Sequence, residues 1–170
     1  MSEIHSSRPT RRVLVMVDLA GYAASFGHHD DATMAAFTQA YYELCAEALE
    51  GAGGRVVKFI GDSCLAVFPV EAAPAAVYAV RALAARVTEL AKGRRVPVEM
   101  GANLHVGEVV EGLFGPEAHA RYDVIGAAMN QTARMGRGGV LRISRALREE
   151  LPPTERQRWL PESEDVFVPA

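Results

Sequence analysis

Lysine is nearly missing from this sequence. Of its 18 basic residues only Lys58 and Lys92 carry an ammonium group; the rest are arginines. With a formal net charge of −3 and no lysine cluster, a dominant nucleic-acid role is disfavoured, because phosphate-backbone binding is driven by clustered cations. Cysteine is scarce as well. Cys45 falls in an expected helix and Cys64 in an expected strand, and two cysteines without a short spacing suit a reducing compartment better than a disulfide framework or a zinc site. No apolar run reaches the roughly 18 residues that a bilayer crossing needs. Residues 1–10 lack the apolar centre of a signal peptide. These absences suggest a cytoplasmic chain, whole or part of a longer protein, with no membrane segment and no nucleic-acid partner.

What is present is ordinary for a globular domain: 49% apolar and 23% charged residues in a chain of 170. That length fits one domain with a sizeable core. We expect residues 1–10 to be a disordered lead-in and residues 11–170 a single domain. Residues 12–17 (RVLVMV) read as a buried strand that stops at Asp18, before a turn at Gly21. Asp30 or Asp31 caps a helix running to about Glu50, with Met34, Phe37, Tyr41, Leu44, Cys45 and Leu49 on one face. Residues 55–60 and 64–68 form a hairpin around Gly61-Asp62-Ser63. A second helix spans 71–91, with Pro74 tolerated in its first turn. Strands follow at 96–106, 107–114 and 122–124. A short helix at 127–135, a strand at 140–143 and a helix at 144–150 precede a weakly patterned tail. This order predicts an α+β fold: a ferredoxin-like βαββαβ core with a mostly antiparallel sheet and helices packed on it.

Chemistry-bearing residues punctuate this pattern. Asp18 ends a strand and Asp62 tips a hairpin. Either alone reads most simply as a turn residue. Together they suit a hard cation such as Mg²⁺, which takes few carboxylates and leaves room for phosphate and water. Lys58 interrupts an apolar run; alternation would put it on a wet face. Asp123 sits within YDVIG. A Lys–Asp pair can read a base edge, the lysine donating to a ring acceptor and the aspartate accepting from an exocyclic amine. That is the pattern of adenine and mismatches guanine, whose O6 accepts. Asn130 and Arg134, four apart on a short helix, face the same way. They suit either an exposed helix face or a phosphate, for which a guanidinium is well shaped. His28-His29-Asp30-Asp31 reads as a helix start, and His105 and His119 as structural or exposed. Arg142, Arg145 and Arg148 read as a solvated helix face.

Four segments, VDLAGYA, GGRVVKFIGDSCLAVF, HVGEVVEGLFG and YDVIGAAMNQTARM, occur in the order found in class III nucleotidyl cyclases, and the chain resembles that family over about residues 12–143. The resemblance implies an adenylate cyclase that turns ATP into cyclic AMP and pyrophosphate. It implies that Asp18, Asp62 and the backbone carbonyl of Leu19 hold two Mg²⁺ or Mn²⁺ ions. Lys58 and Asp123 would select the base, Asn130 would orient the ribose and Arg134 would stabilise the pentavalent phosphorus. Amides of Ala20, Gly21 and Tyr22 would hold the terminal phosphates, as nests of N–H groups do. It further implies a head-to-tail homodimer in which Asp18 and Asp62 of one chain face Lys58, Asp123, Asn130 and Arg134 of the other. GTP or another nucleotide as substrate, or a non-catalytic dimer module, are the alternatives. Met16 and Ala23 stand where many relatives have Phe and Thr. Glu108 stands where some have a phosphate-contacting arginine. No lysine follows Lys92, where many carry a phosphate-binding lysine; the resemblance leaves that role unassigned.

Overall fold

The first apolar run becomes a central strand. In the computed structural model, which describes residues 8–170, β1 spans Thr10–Ala20 and is followed by a one-turn helix, α1 (Tyr22–Ser25). The long helix α2 (Asp31–Gly51), the hairpin β2 (Arg55–Ile60) and β3 (Ser63–Pro69), and a second long helix α3 (Ala73–Arg94) come next. Then follow β4 (Glu99–Phe114), β5 (Arg121–Ile125), α4 (Ala127–Arg134), β6 (Leu141–Ser144), α5 (Arg145–Glu150), α6 (Pro153–Arg156), β7 (Trp159–Pro161) and β8 (Val166–Pro169). The strand order is β2-β3-β1-β4-β6-β8-β7, with β5 paired to the far half of β4. Every pairing is antiparallel except β4 with β6. This is the expected α+β arrangement: the first four strands in the order β2-β3-β1-β4, with α2 and α3 on one face.

The two faces of β1 do different work, because side chains alternate along a strand. Val13, Val15, Val17 and Leu19 join the main core with Met34, Phe37, Tyr41, Cys45 and Leu49 of α2 and Val77, Val80, Leu83 and Val87 of α3. Leu14 joins a smaller cluster on the opposite face with Leu65, Val67, Val109, Val124 and Ala128. Asp18, even-numbered like Leu14 and Met16, falls on that second face. Asp30 caps α2, its carboxylate accepting from the Thr33 amide at 2.7 Å, so the acidic pair after His29 is a helix start as expected. Pro74 sits in the first turn of α3, where no amide is required of it.

Two expectations are corrected. Residues 99–114 form one strand, not two. Gly107 does not break it: a Cβ there would lie 2.5 Å from the Cβ of Ala128, so this glycine admits α4. The weakly patterned tail joins the sheet, with β8 paired to β6 and Trp159 and Phe167 in the core. Of the arginines at 142–148, only Arg145 is an exposed helix residue as expected. Arg142 lies in β6, only 8% exposed, and makes two bonds to Glu162 at 2.7 and 3.1 Å. Arg145 pairs with Asp165, and Arg148 covers the ring of Phe167. The expected lead-in lies mostly outside the described residues; Thr10, its last member, begins β1.

Candidate active site

Antiparallel register brings Asp18 and Asp62 together. The β1–β3 ladder ends at the pair Val17–Cys64, so Asp18 emerges beside the tip of the β2–β3 hairpin. That tip is fixed from two sides. Gly61 takes a φ of 58°, a left-handed conformation open to glycine at little cost, and its carbonyl accepts from the Tyr42 hydroxyl. Tyr42 in turn stacks on Phe59 with ring centroids 4.0 Å apart. The Asp62 carboxylate accepts from the Leu19 amide at 3.1 Å, which ties it to the residue after Asp18.

A β-bulge delivers Lys58. Val56 pairs with Ala66 but Lys58 pairs with Leu65, so one extra residue, Val57, lies between them. Strict alternation would leave Val56 and Lys58 on one face. The bulge turns Lys58 to the side of Leu65 instead, the face that carries Asp18. There its Nζ donates to Asp123 Oδ2 of β5 at 2.6 Å. Asp123 keeps its other oxygen on the Val124 amide at 2.8 Å.

Asp18, Lys58 and Asp62 line one cleft of about 540 Å³, together with Met16, Asn103, Met129 and Arg137. Burial first, and the Asp62 carboxylate second, push the Asp18 carboxyl above its ordinary range; Arg142 and Arg137 partly oppose this. Two half-buried carboxylates brought together at one cleft are a suitable oxygen donor set for a divalent cation. Among the described residues no three His, Cys, Asp or Glu side chains gather closely enough to hold an ion. A metal here would therefore complete its shell with backbone, phosphate or water oxygens.

The other expected residues are not in this cleft. Asn130 and Arg134 are exposed on α4. Ala128 and Thr132 are its buried positions, and the Arg134 guanidinium reaches back to the Asn130 carbonyl at 3.1 Å. Ala20, Gly21 and Tyr22 form the turn from β1 into α1, where Gly21 has a φ of 87° and a Cβ would strike the Pro97 carbonyl at 2.6 Å. Sequence reasoning missed Asn103, Arg137 and Arg142. An arginine inside the short apolar run LRIS was a usable signal for Arg142. Nothing in the pattern marked the other two.

A model of the adenylate and guanylate cyclase catalytic domain matches residues 6–147. The chain belongs to that family. The cyclase domain is 23% identical over 141 residues to an adenylate cyclase of Anabaena cylindrica, a match covering 78% of this chain and 28% of that protein. The solved guanylyl cyclase Cya2 superposes with a TM-score of 0.82 at 22% identity, covering 95% of this chain and 92% of that one. The adenylyl cyclase CyaB from P. aeruginosa does so with a TM-score of 0.84 at 16% identity, covering 96% and 95%. At such identities these structures establish the shared fold alone. The chain spans about a quarter of the length of the first curated relatives it matches. No helix among the described residues of this cyclase domain is long and apolar enough to cross a membrane.

Proposed function

We propose that this cyclase domain converts ATP into 3′,5′-cyclic AMP and pyrophosphate, as a homodimer that uses two Mg²⁺ or Mn²⁺ ions. The observation that carries the reading is a cleft holding two carboxylates, Asp18 and Asp62; the Lys58–Asp123 pair at 2.6 Å, which the resemblance gives to the partner chain's site, is formed within each chain, with Lys58 at the same cleft. Asp18, Asp62 and the Leu19 carbonyl would hold the ions. When bound, the metal would supply charge neutralisation at the triphosphate and ease ionisation of the 3′-hydroxyl.

The chain's own residues do the rest. Lys58 donates to a ring nitrogen and Asp123 accepts from the exocyclic amine, which selects adenine over guanine. Asn130 orients the ribose so that its 3′-oxygen attacks the α-phosphorus in line; nucleophile and electrophile share one molecule, so positioning contributes much of the rate. Arg134 meets the charge on the transferring phosphoryl group. Amides of Ala20, Gly21 and Tyr22 receive the terminal phosphates. The exposure of Asn130 and Arg134, away from the cleft of their own chain, supports a site completed by a second copy.

Purified protein given ATP and Mn²⁺ is expected to release cyclic AMP and pyrophosphate in equal amounts, and GTP in competition is expected to be used less. Arg134→Ala should lower turnover about a thousandfold with the fold intact by circular dichroism. Full activity in that variant, or a preference for GTP, would remove the corresponding part of the proposal.

A further inference from the structure

We propose that Arg137 grips the polyphosphate of the nucleotide, from the same chain that supplies Asp18 and Asp62. This rests on the reading of the cleft as a nucleotide site, and adds to it a residue on the metal side.

Arg137 lies in the loop between α4 and β6, and the backbone of that loop is fastened at successive residues. Asn103 Nδ2 donates to the Gly136 carbonyl at 3.0 Å, and Arg142 Nη1 donates to the Arg137 carbonyl at 3.2 Å. Gly138 packs directly on β4: a Cβ on Gly101 would lie 2.1 Å from the Gly138 carbonyl oxygen. Gly136 has no room for a side chain, since the Arg142 guanidinium comes within 2.4 Å of where its Cβ would be. Arg142 is itself held by both oxygens of Glu162. The frame is rigid, and the one long side chain it presents at the cleft is that of Arg137.

That side chain is exposed and uncommitted. Among the described residues its guanidinium makes no ion pair within 4 Å, although it lines the cleft with Asp18 and Asp62 and acts on Asp18 through space. Most arginines of the chain are spent on carboxylates or carbonyls: Arg12 on Glu111, Arg142 on Glu162, Arg156 on the carbonyls of Leu151 and Glu149. A forked cation left unpaired beside two carboxylates is matched to a ligand that carries both a metal and several anionic oxygens. A metal–polyphosphate complex has both. The carboxylates face its cation and Arg137 faces its oxygens.

The competing role is charge relief, with Arg137 merely offsetting the repulsion between Asp18 and Asp62. The two roles separate by ligand. Calorimetric titration with inorganic pyrophosphate in Mn²⁺, and with Mn²⁺ alone, would be run on wild type, Arg137→Ala and Arg137→Lys. We expect Arg137→Ala to weaken pyrophosphate binding about ten- to a hundredfold, the worth of one charge-assisted contact. Mn²⁺ alone should bind no more weakly than to wild type, and Arg137→Lys should recover part of the loss. In turnover assays KM for ATP should rise more than kcat falls. Unchanged pyrophosphate affinity in Arg137→Ala, with wild type forming cyclic nucleotide, would overturn this proposal alone. A wild type that neither binds pyrophosphate nor forms a cyclic nucleotide would overturn the nucleotide reading with it.

Discussion

Asp18 is where fold and chemistry pull against each other. Its folded carboxyl is harder to ionise than an ordinary one, chiefly through burial and then through Asp62. A raised folded pKa gives stability that is present below the ordinary value of 3.8 and lost as pH rises through the folded one. At neutral pH the charge is therefore a cost to the metal-free protein. Asp18→Asn should raise its melting temperature at pH 7.5 while removing turnover, and a lower melting temperature would contradict the electrostatic account. His105 runs the other way. It bridges Ser144 and Gln131 at 2.9 and 3.0 Å. Burial lowers its pKa below 6.5, with the Gln131 contact opposing. Its contribution is therefore present above pH 6.5 and lost as pH falls through the depressed folded value. Thermal melts from pH 7.5 to 5 should show a fall that flattens in His105→Gln. Lys58 and Asp123 stood out as candidates in the sequence because each interrupts an apolar run, and Asp18 and Asp62 because they end a strand and tip a hairpin. Arg137 was not, because it sits among glycines where any polar residue reads as loop.

Among the elements, long periodic ones were readable and local irregularities were not. The buried face of α2 followed directly from its spacing, and its start from the Asp30 cap. The bulge at Val57 left no trace, because Val56 and Val57 are both apolar and either suits a buried strand. Yet that one inserted residue decides which face Lys58 occupies. Gly107 was misleading for the opposite reason: a glycine inside a strand pattern marks close approach as readily as a break. The strands β7 and β8, with only 3 and 4 residues, are too short for alternation to show. Gly101 tests how much the loop beside Asp18 depends on contact between elements. A methyl group there meets a backbone carbonyl at 2.1 Å, which no rotamer change can relieve. Gly101→Ala should cost about 1–3 kcal/mol in urea unfolding and reduce activity further than that loss of stability explains. A variant as stable and active as wild type would show that the loop can stand off the strand.

For the whole molecule, the proposal makes activity a property of pairs. Asp62→Ala and Arg134→Ala chains, each inactive alone, should regain about a quarter of wild-type turnover when mixed in equal amounts, since half the pairs are mixed and each holds one intact site. Dilution should lower specific activity. No regain on mixing, with exchange of chains verified by size, would place both residues in one chain's site. The fold class was legible because the order of elements narrows the topology; a partnership of chains came from the resemblance alone, because exposed residues such as Asn130 look alike whether they face water or another copy. The closing hairpin has a temporal consequence. Glu162 supplies the counter-ion for Arg142, and Phe167 pairs β8 to β6. Chains are made from the N-terminus, so both cleft carboxylates, Asp18 and Asp62, emerge from the ribosome long before the clasp that steadies the neighbouring loop. A nascent chain would thus carry the charge of its cleft without the frame around it, and the cleft would take its working shape only after residue 167 has been added.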